Sequence, residues 1–382
     1  MTGYTLFIFL AYGTTGTVAR LIGAGSRERA LHVGVQSLWL AAGLGLALAA
    51  LGAIFAEPLV DAMGAEGEVR RHALTYLRIS LFGLPALMLA LAGTGYLRGL
   101  QDTKTPLVIM IGTTVLNLVV EVVLIFGYGF GIGASAFATV LAQSLGAVVY
   151  VWFVARGARG AAISVGPDLR TIGSLMYVGL DLFLRTISLR GVLLASTAVA
   201  ARIGTHELGA NQVTLEIWNF LAFALDSIAI AGQAITGRLL GAGRGDEARA
   251  AGRRMIELGI AFGVILGVLI ALSRSLIAPI FSSDAEVVRL TAQLLLYAAL
   301  FQPVAAVAFV LDGVLIGAGD QRYLAWAMFA SALVFLAGAV MVIALELGIG
   351  ALWLAIGAFM TARVATLLYR FSTPHWQVLG EH

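Results

Sequence analysis

The chain has 382 residues, of which 60% are hydrophobic and 12% charged, and its mean hydropathy is +0.95. Soluble domains carry about 25% charged residues, so this composition excludes a soluble globular fold and points to an all-α polytopic membrane protein. The formal net charge of +3 is no sign of a nucleic-acid partner, because basic residues in such a chain report membrane orientation, and with no cysteine there is no disulfide or thiolate chemistry.

Eleven apolar segments are long enough to cross the ~30 Å hydrocarbon core as helices. They cover about 3–22, 31–55, 72–97, 106–127, 134–155, 182–202, 210–237, 255–273, 288–316, 324–345 and 350–370. Met1 leads into the first of them without a basic stretch, so no cleavable signal peptide is expected. In the second, Gly43, Gly45 and Gly52 read as packing surface, since small residues let helices approach closely in lipid. The connections sort by charge. Arg27, Arg29, Lys104, Arg156, Arg159, Arg170, Arg244, Arg249, Arg253, Arg254 and Arg322 fall on one side; Glu57, Asp61, Glu66, Glu68, Glu207, Asp284, Glu286 and Glu346 fall on the other. The positive-inside rule makes the first side cytoplasmic, in a cell (plasma or inner) membrane, with the C-terminal tail 372–382 on that side. Residues 157–181 are expected to be a cytoplasmic linker between two lobes, 1–156 and 182–371. Within the linker, 169–180 is expected to lie along the membrane face as a separate helix, with Asp181 capping the crossing that follows. Arg185 would then snorkel to the headgroups, and Arg190 would lie about 7.5 Å deeper.

The two lobes repeat at an offset of 218 residues. Pro85, Gly95, Gly99, Asp102 and Lys104 recur as Pro303, Gly313, Gly317, Asp320 and Arg322. The turn Arg20-Leu21-Ile22-Gly23-Ala24-Gly25 recurs as Arg238-Leu239-Leu240-Gly241-Ala242-Gly243, and with a one-residue gap Gly131–Ala134 recurs as Gly348–Ala351. A second lobe of six crossings begins and ends on one side, which makes the lobes parallel repeats about an axis along the membrane normal. On this offset Met1 aligns with Asn219, so the first lobe is expected to lack one helix and part of another, leaving about 11 of 12 crossings.

Four stretches carry a resemblance to a known family. They are Tyr12–Gly16, Gly95-Tyr96-Leu97-Arg98-Gly99-Leu100-Gln101-Asp102-Thr103, Leu225–Gln233 and Asp312–Asp320, with the paired R-L-[IL]-G-A-G turns and Asn117-(x3)-Glu121 beside them. Together they resemble the multidrug and toxic compound extrusion (MATE) family, in particular its DinF-like branch. The resemblance implies a V-shaped transporter of twelve helices in two lobes. Such a transporter exports drugs or metabolites by alternating access against inflow of protons or sodium ions. The branch also uses an aspartate on its first helix, a position with no counterpart here.

Four carboxylates fall inside expected crossings: Glu121, Glu216, Asp226 and Asp312. An ionisable group in lipid is costly and marks a functional site by default. Asp312 is unique to the second lobe, where the first carries Thr94, and it heads the candidates. Asp226 and Gln233, seven residues apart, share a helix face; Gln212 and Glu216 form a polar stripe with Asn211 and Asn219; Asn117 and Glu121 stand one turn apart and are expected to pair. Arg190 is a candidate for holding an acid or the substrate. The acids and amides also have a plainer reading as interhelical polar contacts, and Arg190 as an arginine snorkelling near the cytoplasmic rim. Pro85 and Pro303 remove a backbone donor in matching places and are expected to kink their helices as hinges. Asp102 and Asp320 read as capping and gate positions. The five histidines show no metal-ligand spacing, and no nucleotide loop or catalytic constellation is present, so the chain is expected not to be an enzyme and to use no cofactor beyond H+ or Na+ as coupling ion. The reading is a secondary efflux transporter of small amphipathic cations, a monomer whose partners are its substrate and the lipid bilayer. The alternatives are a lipid-linked precursor flippase and a truncated product without activity.

Overall fold

The computed structural model describes residues 7–161 and 163–381; the first residues of the earliest expected segment, Ala162 and His382 lie outside them. Among the described residues there are twelve helices: α1 (Phe9–Gly23), α2 (Arg27–Ala62), α3 (Gly67–Leu81), α4 (Leu84–Gly99), α5 (Lys104–Val122), α6 (Ile132–Gly160), α7 (Leu169–Ile203), α8 (Thr205–Gly241), α9 (Gly245–Phe281), α10 (Ala285–Gly317), α11 (Gln321–Ala344) and α12 (Gly348–Ser372). Nine are long and apolar enough to cross a membrane, and the bent pair α3–α4 makes a tenth span. The chain divides into two compact units, residues 1–179 and 180–382.

The 218-residue repeat is written into the helix crossings. A Cβ at Gly95 would lie 2.5 Å from the Ala11 carbonyl oxygen, and one at Gly313 would collide with the carbonyl oxygen of Ala229, the repeat partner of Ala11. A Cβ at Gly45 would lie 2.5 Å from Pro85 Cα, and one at Gly263 would lie 2.9 Å from Pro303 Cα. The small residues therefore sit where α1 crosses α4 and α8 crosses α10, and where α2 crosses α4 and α9 crosses α10. Close backbone approach maximises dispersion contact where lipid offers no hydrophobic drive. Of the glycines expected on the α2 packing face, Gly45 meets Pro85 and Gly52 meets Leu81, whereas Gly43 faces open space.

The turns repeat as well. Gly25 and Gly243 end α1 and α8 with φ of +79° and +75°. Ser26 N–H and Arg244 N–H reach back to the carbonyls of Leu21 and Leu239, at 2.9 Å each. That is the Schellman arrangement, which satisfies the last helical carbonyls. The turn after α10 uses Gly319 at φ +80°; its partner after α4 is Gln101, held at φ +63°.

One expectation is corrected. Residues 169–203 form one continuous helix, so there is no break at Asp181. Asp181 is half-buried within α7 and interacts electrostatically with Arg322. The cap is Asp168 instead, accepting from Arg170 N–H at 3.0 Å and from the Thr171 hydroxyl at 2.6 Å. The two prolines expected as hinges differ in setting. Pro85 follows a 46° break between α3 and α4, while Pro303 lies inside the unbroken α10. A proline removes one donor, and the surrounding packing decides whether the helix parts there. The C-terminal tail is docked on the second unit. Arg249 of α9 donates to Thr373 O at 2.9 Å and Gln377 Oε1 at 2.7 Å, and Trp376, 1% exposed, stacks on Phe371.

Candidate functional site

The second unit closes around α10, whose residues from Ala305 to Gly317 are almost all buried. Asp312 lies in the middle of that stretch, 3% exposed. A carboxylate there requires partners. Arg185 of α7 and Arg363 of α12, 7% and 1% exposed, both donate through Nη2 to Asp312 Oδ2. One carboxylate oxygen thus ties three helices together. The Arg363 guanidinium also lies over the Phe309 ring, 5.4 Å from its centroid. Asp312 Oδ1 and Arg363 Nε have no hydrogen-bond partner. Asp226 of α8, half-buried, acts electrostatically on Arg363 as well. Arg363 is bonded to the sealed Asp312, and the half-buried Asp226 acts on it through charge.

The expectation that Arg185 snorkels to the headgroups is overturned: with α7 continuous, Arg185 lies in the packed interior and meets Asp312. Arg363 was missed in the sequence, although an arginine in the apolar run 350–370 is the charge needed to balance Asp312. Arg190, one helical turn and a half beyond Arg185, is half-buried and feels the charge of Glu216 on α8. Glu216 and Gln212 are exposed on α8. Gln233 is 1% exposed and its backbone seats Gly317, so it belongs to the α8–α10 crossing, in contrast to the half-buried Asp226. Asn211 is fully buried and accepts from Trp353 Nε1 at 3.1 Å.

The first unit carries no such centre at the matching positions. Thr94 stands at the Asp312 position, and Gly146, against Thr113, stands at the Arg363 position on the one-residue gap. Acid and base are absent together, as the cost of an unpartnered buried charge requires. Asn117 and Glu121 do not pair with each other. Asn117 donates to the Thr139 hydroxyl at 3.1 Å, and Glu121 accepts from the Ser135 hydroxyl at 2.6 Å, both on α6. They form a polar seam between α5 and α6. Asp102 and Asp320 also differ: Asp102 caps α5 through Lys104 and Thr105 N–H at 3.1 and 3.0 Å, while Asp320 takes the Arg370 guanidinium through Nε at 2.6 Å.

A repeated set of helices long and apolar enough to cross a membrane, with an ion triad sealed inside the second unit, is the architecture of a polytopic membrane protein. The chain belongs to the MatE family, whose model matches residues 1–123 and 182–365. It is similar to Protein DETOXIFICATION 43 of Arabidopsis thaliana, 34% identical over 336 residues, covering 86% of this chain and 63% of that protein. It is 27% identical to the DNA damage-inducible protein F of Escherichia coli (strain K12) over 320 residues, covering 82% of this chain and 70% of that one. A solved MOP superfamily transporter from Pyrococcus furiosus Vc1 (DSM3638) superposes with a TM-score of 0.88 at 23% identity, over 96% of this chain and 84% of that one. That likeness establishes the fold. The chain spans less than two thirds of the length of the plant relative.

Proposed function

We propose that the chain is a secondary efflux transporter. It exports small amphipathic compounds, cations foremost, in exchange for inward-moving protons or sodium ions by alternating access. The observation that carries this reading is the buried Asp312 inside an apolar helix, held by Arg185 and Arg363 between three helices, with the half-buried Asp226 acting on Arg363 through its charge.

That charge interaction gives a route for coupling. A cation that binds Asp226 cancels the charge acting on Arg363, which then rests on Asp312 alone. Arg363 and Arg185 are the groups that hold α12 and α7 onto α10, so the ion's occupancy biases how those helices pack. A ligand shifts a conformational equilibrium only by its differential affinity for the two states. A proton or sodium ion at Asp226 and a cationic cargo at the same carboxylate compete, and that competition is the exchange. Arg190 and Glu216 extend the polar seam between α7 and α8.

The flippase alternative would place a surplus of cations in the interior for a pyrophosphate. Here Arg185, Arg190 and Arg363 each have an acid of the same unit acting on them: Arg185 and Arg363 are bonded to Asp312, and Arg363 and Arg190 feel the charges of Asp226 and Glu216 respectively. The test is export of a fluorescent organic cation from proteoliposomes under an imposed proton or sodium gradient. Gradient-dependent export supports the reading, and export indifferent to both gradients refutes it.

A further inference from the structure

Away from the triad, the first unit carries a groove of roughly 660 Å³ between α4 and α6. Phe82 lines it from the turn between α3 and α4, Pro85 and Leu89 from α4, and Val148, Val151 and Trp152 from α6. One end is cationic: Arg156 and Arg159, in the last two turns of α6, close the groove there. Ser144 marks the other end. From Ser144 to Arg156 the helix rises about 18 Å, slightly more than half of a ~30 Å hydrocarbon core. The groove therefore runs from headgroup level to just past the depth of one leaflet.

The two arginines are exposed, and among the described residues no carboxylate lies within salt-bridge distance of either. The Arg156 guanidinium lies 5.3 Å from the centre of the Trp152 ring, which fixes the cation at the lip of the apolar channel. A cation in the last turn of a helix is favourable in itself, and the positive-inside rule favours arginine at this end. Neither explains why the charge sits on a groove, and the repeat supplies a control. On the one-residue gap, Thr373 and Trp376 occupy the matching places after α12, and there Trp376 is buried under the tail. Those places lie past the end of α12, whose own last-turn cation, Arg370, is taken up by Asp320, whereas Arg156 and Arg159 lie on the groove.

We propose that this groove binds an anionic phospholipid from the arginine-rich leaflet, its phosphate on Arg156 and Arg159 and one acyl chain along the α4–α6 channel. Basic pockets between membrane helices favour anionic headgroups, and each arginine contributes about a fivefold preference. The occupant is committed by chemistry: two unneutralised cations at one end, and an apolar channel of leaflet depth behind them.

The experiment titrates the purified chain in neutral detergent with brominated-acyl phosphatidylglycerol or brominated-acyl phosphatidylcholine. Trp152 quenching is read as the difference between the protein and its Trp152→Phe variant. Phosphatidylglycerol is expected to quench at a concentration at least tenfold below phosphatidylcholine. The double variant Arg156→Gln/Arg159→Gln should raise the phosphatidylglycerol half-saturation about 25-fold and leave phosphatidylcholine unchanged. Arg156→Lys/Arg159→Lys, which keeps both charges, should retain the preference. Val148→Phe, which fills the channel and keeps the arginines, should weaken quenching by both lipids. Equal half-saturation for the two lipids overturns the proposal, as does an unaltered preference in the glutamine variant or its loss in the lysine variant.

Discussion

Asp312→Asn is the substitution on which the description of the second lobe depends most heavily. The side chain keeps its size and loses its charge, inside a helix stretch that is almost wholly buried. Arg185 and Arg363, 7% and 1% exposed, then keep their charges without their shared carboxylate. An asparagine oxygen can accept from the guanidiniums, but cannot neutralise either. Breaking a buried ion pair from one side costs about 3–5 kcal/mol. For a unit of about 200 residues, where 1 kcal/mol moves Tm by about 2–4 °C, the unfolding midpoint should fall on the order of 6–20 °C. The assay is thermal unfolding of the purified protein in detergent, followed by helical ellipticity. A matching variant, Asp312→Leu/Arg185→Met/Arg363→Met, removes all three charges. Replacing a buried ionic group by apolar residues of similar volume is often neutral or stabilising, so its midpoint should recover most of the loss. An Asp312→Asn variant within about 1 kcal/mol of the parent would refute the reasoning, because a triad sealed from water cannot lose its only shared acceptor so cheaply.

Gly313→Val drives a branched side chain into the Ala229 backbone and should cost about 1–3 kcal/mol or more. Gly43→Ala, at a helix position facing open space, should instead stabilise by up to about 1 kcal/mol; both are read from denaturation midpoints. Gln101→Gly relieves a left-handed backbone at φ +63° and should add about 1 kcal/mol of stability, while Gly319→Gln at the repeat position should lose a similar amount. Asp168, hydrogen-bonded by Thr171 and His32, has its pKa lowered from the ordinary carboxylate range to about 2. A depressed carboxylate adds stability that is present above its unfolded pKa of about 4 and is lost as pH falls through about 2. The midpoints of the parent and Asp168→Asn should therefore differ at pH 5 and converge below pH 2.

The repeat was legible because it rests on residues with one physical use. Glycine at 95 and 313 is demanded by backbone contact, and glycine at 25 and 243 by a left-handed turn. Each apolar run of the sequence is occupied by a helix for the same reason, since lipid leaves the backbone no other partner. The interior of the second lobe was half legible. Asp312 was found because a carboxylate in an apolar run needs a purpose, but its partners were not, since pairing across 127 and 51 residues leaves no local pattern. The place of Arg185 depends on the helix running unbroken past Asp181, which lets its polar residues find partners in the packed lobe and which the length of the segment alone does not reveal. Asn117 and Glu121 show the converse: spacing put them on one face, but the hydroxyls of Thr139 and Ser135 across the groove are the better-placed partners.

The central claim is that ion occupancy at Asp226 is transmitted through Arg363 to the Asp312 triad. The most direct test is gradient-driven export of a fluorescent organic cation from proteoliposomes, comparing the parent with Asp226→Asn. That change leaves Asp312, Arg185 and Arg363 in place. The account predicts that it loses its response to an imposed proton or sodium gradient. An Asp226→Asn variant that still exports at the parental rate and with the parental gradient dependence would contradict it.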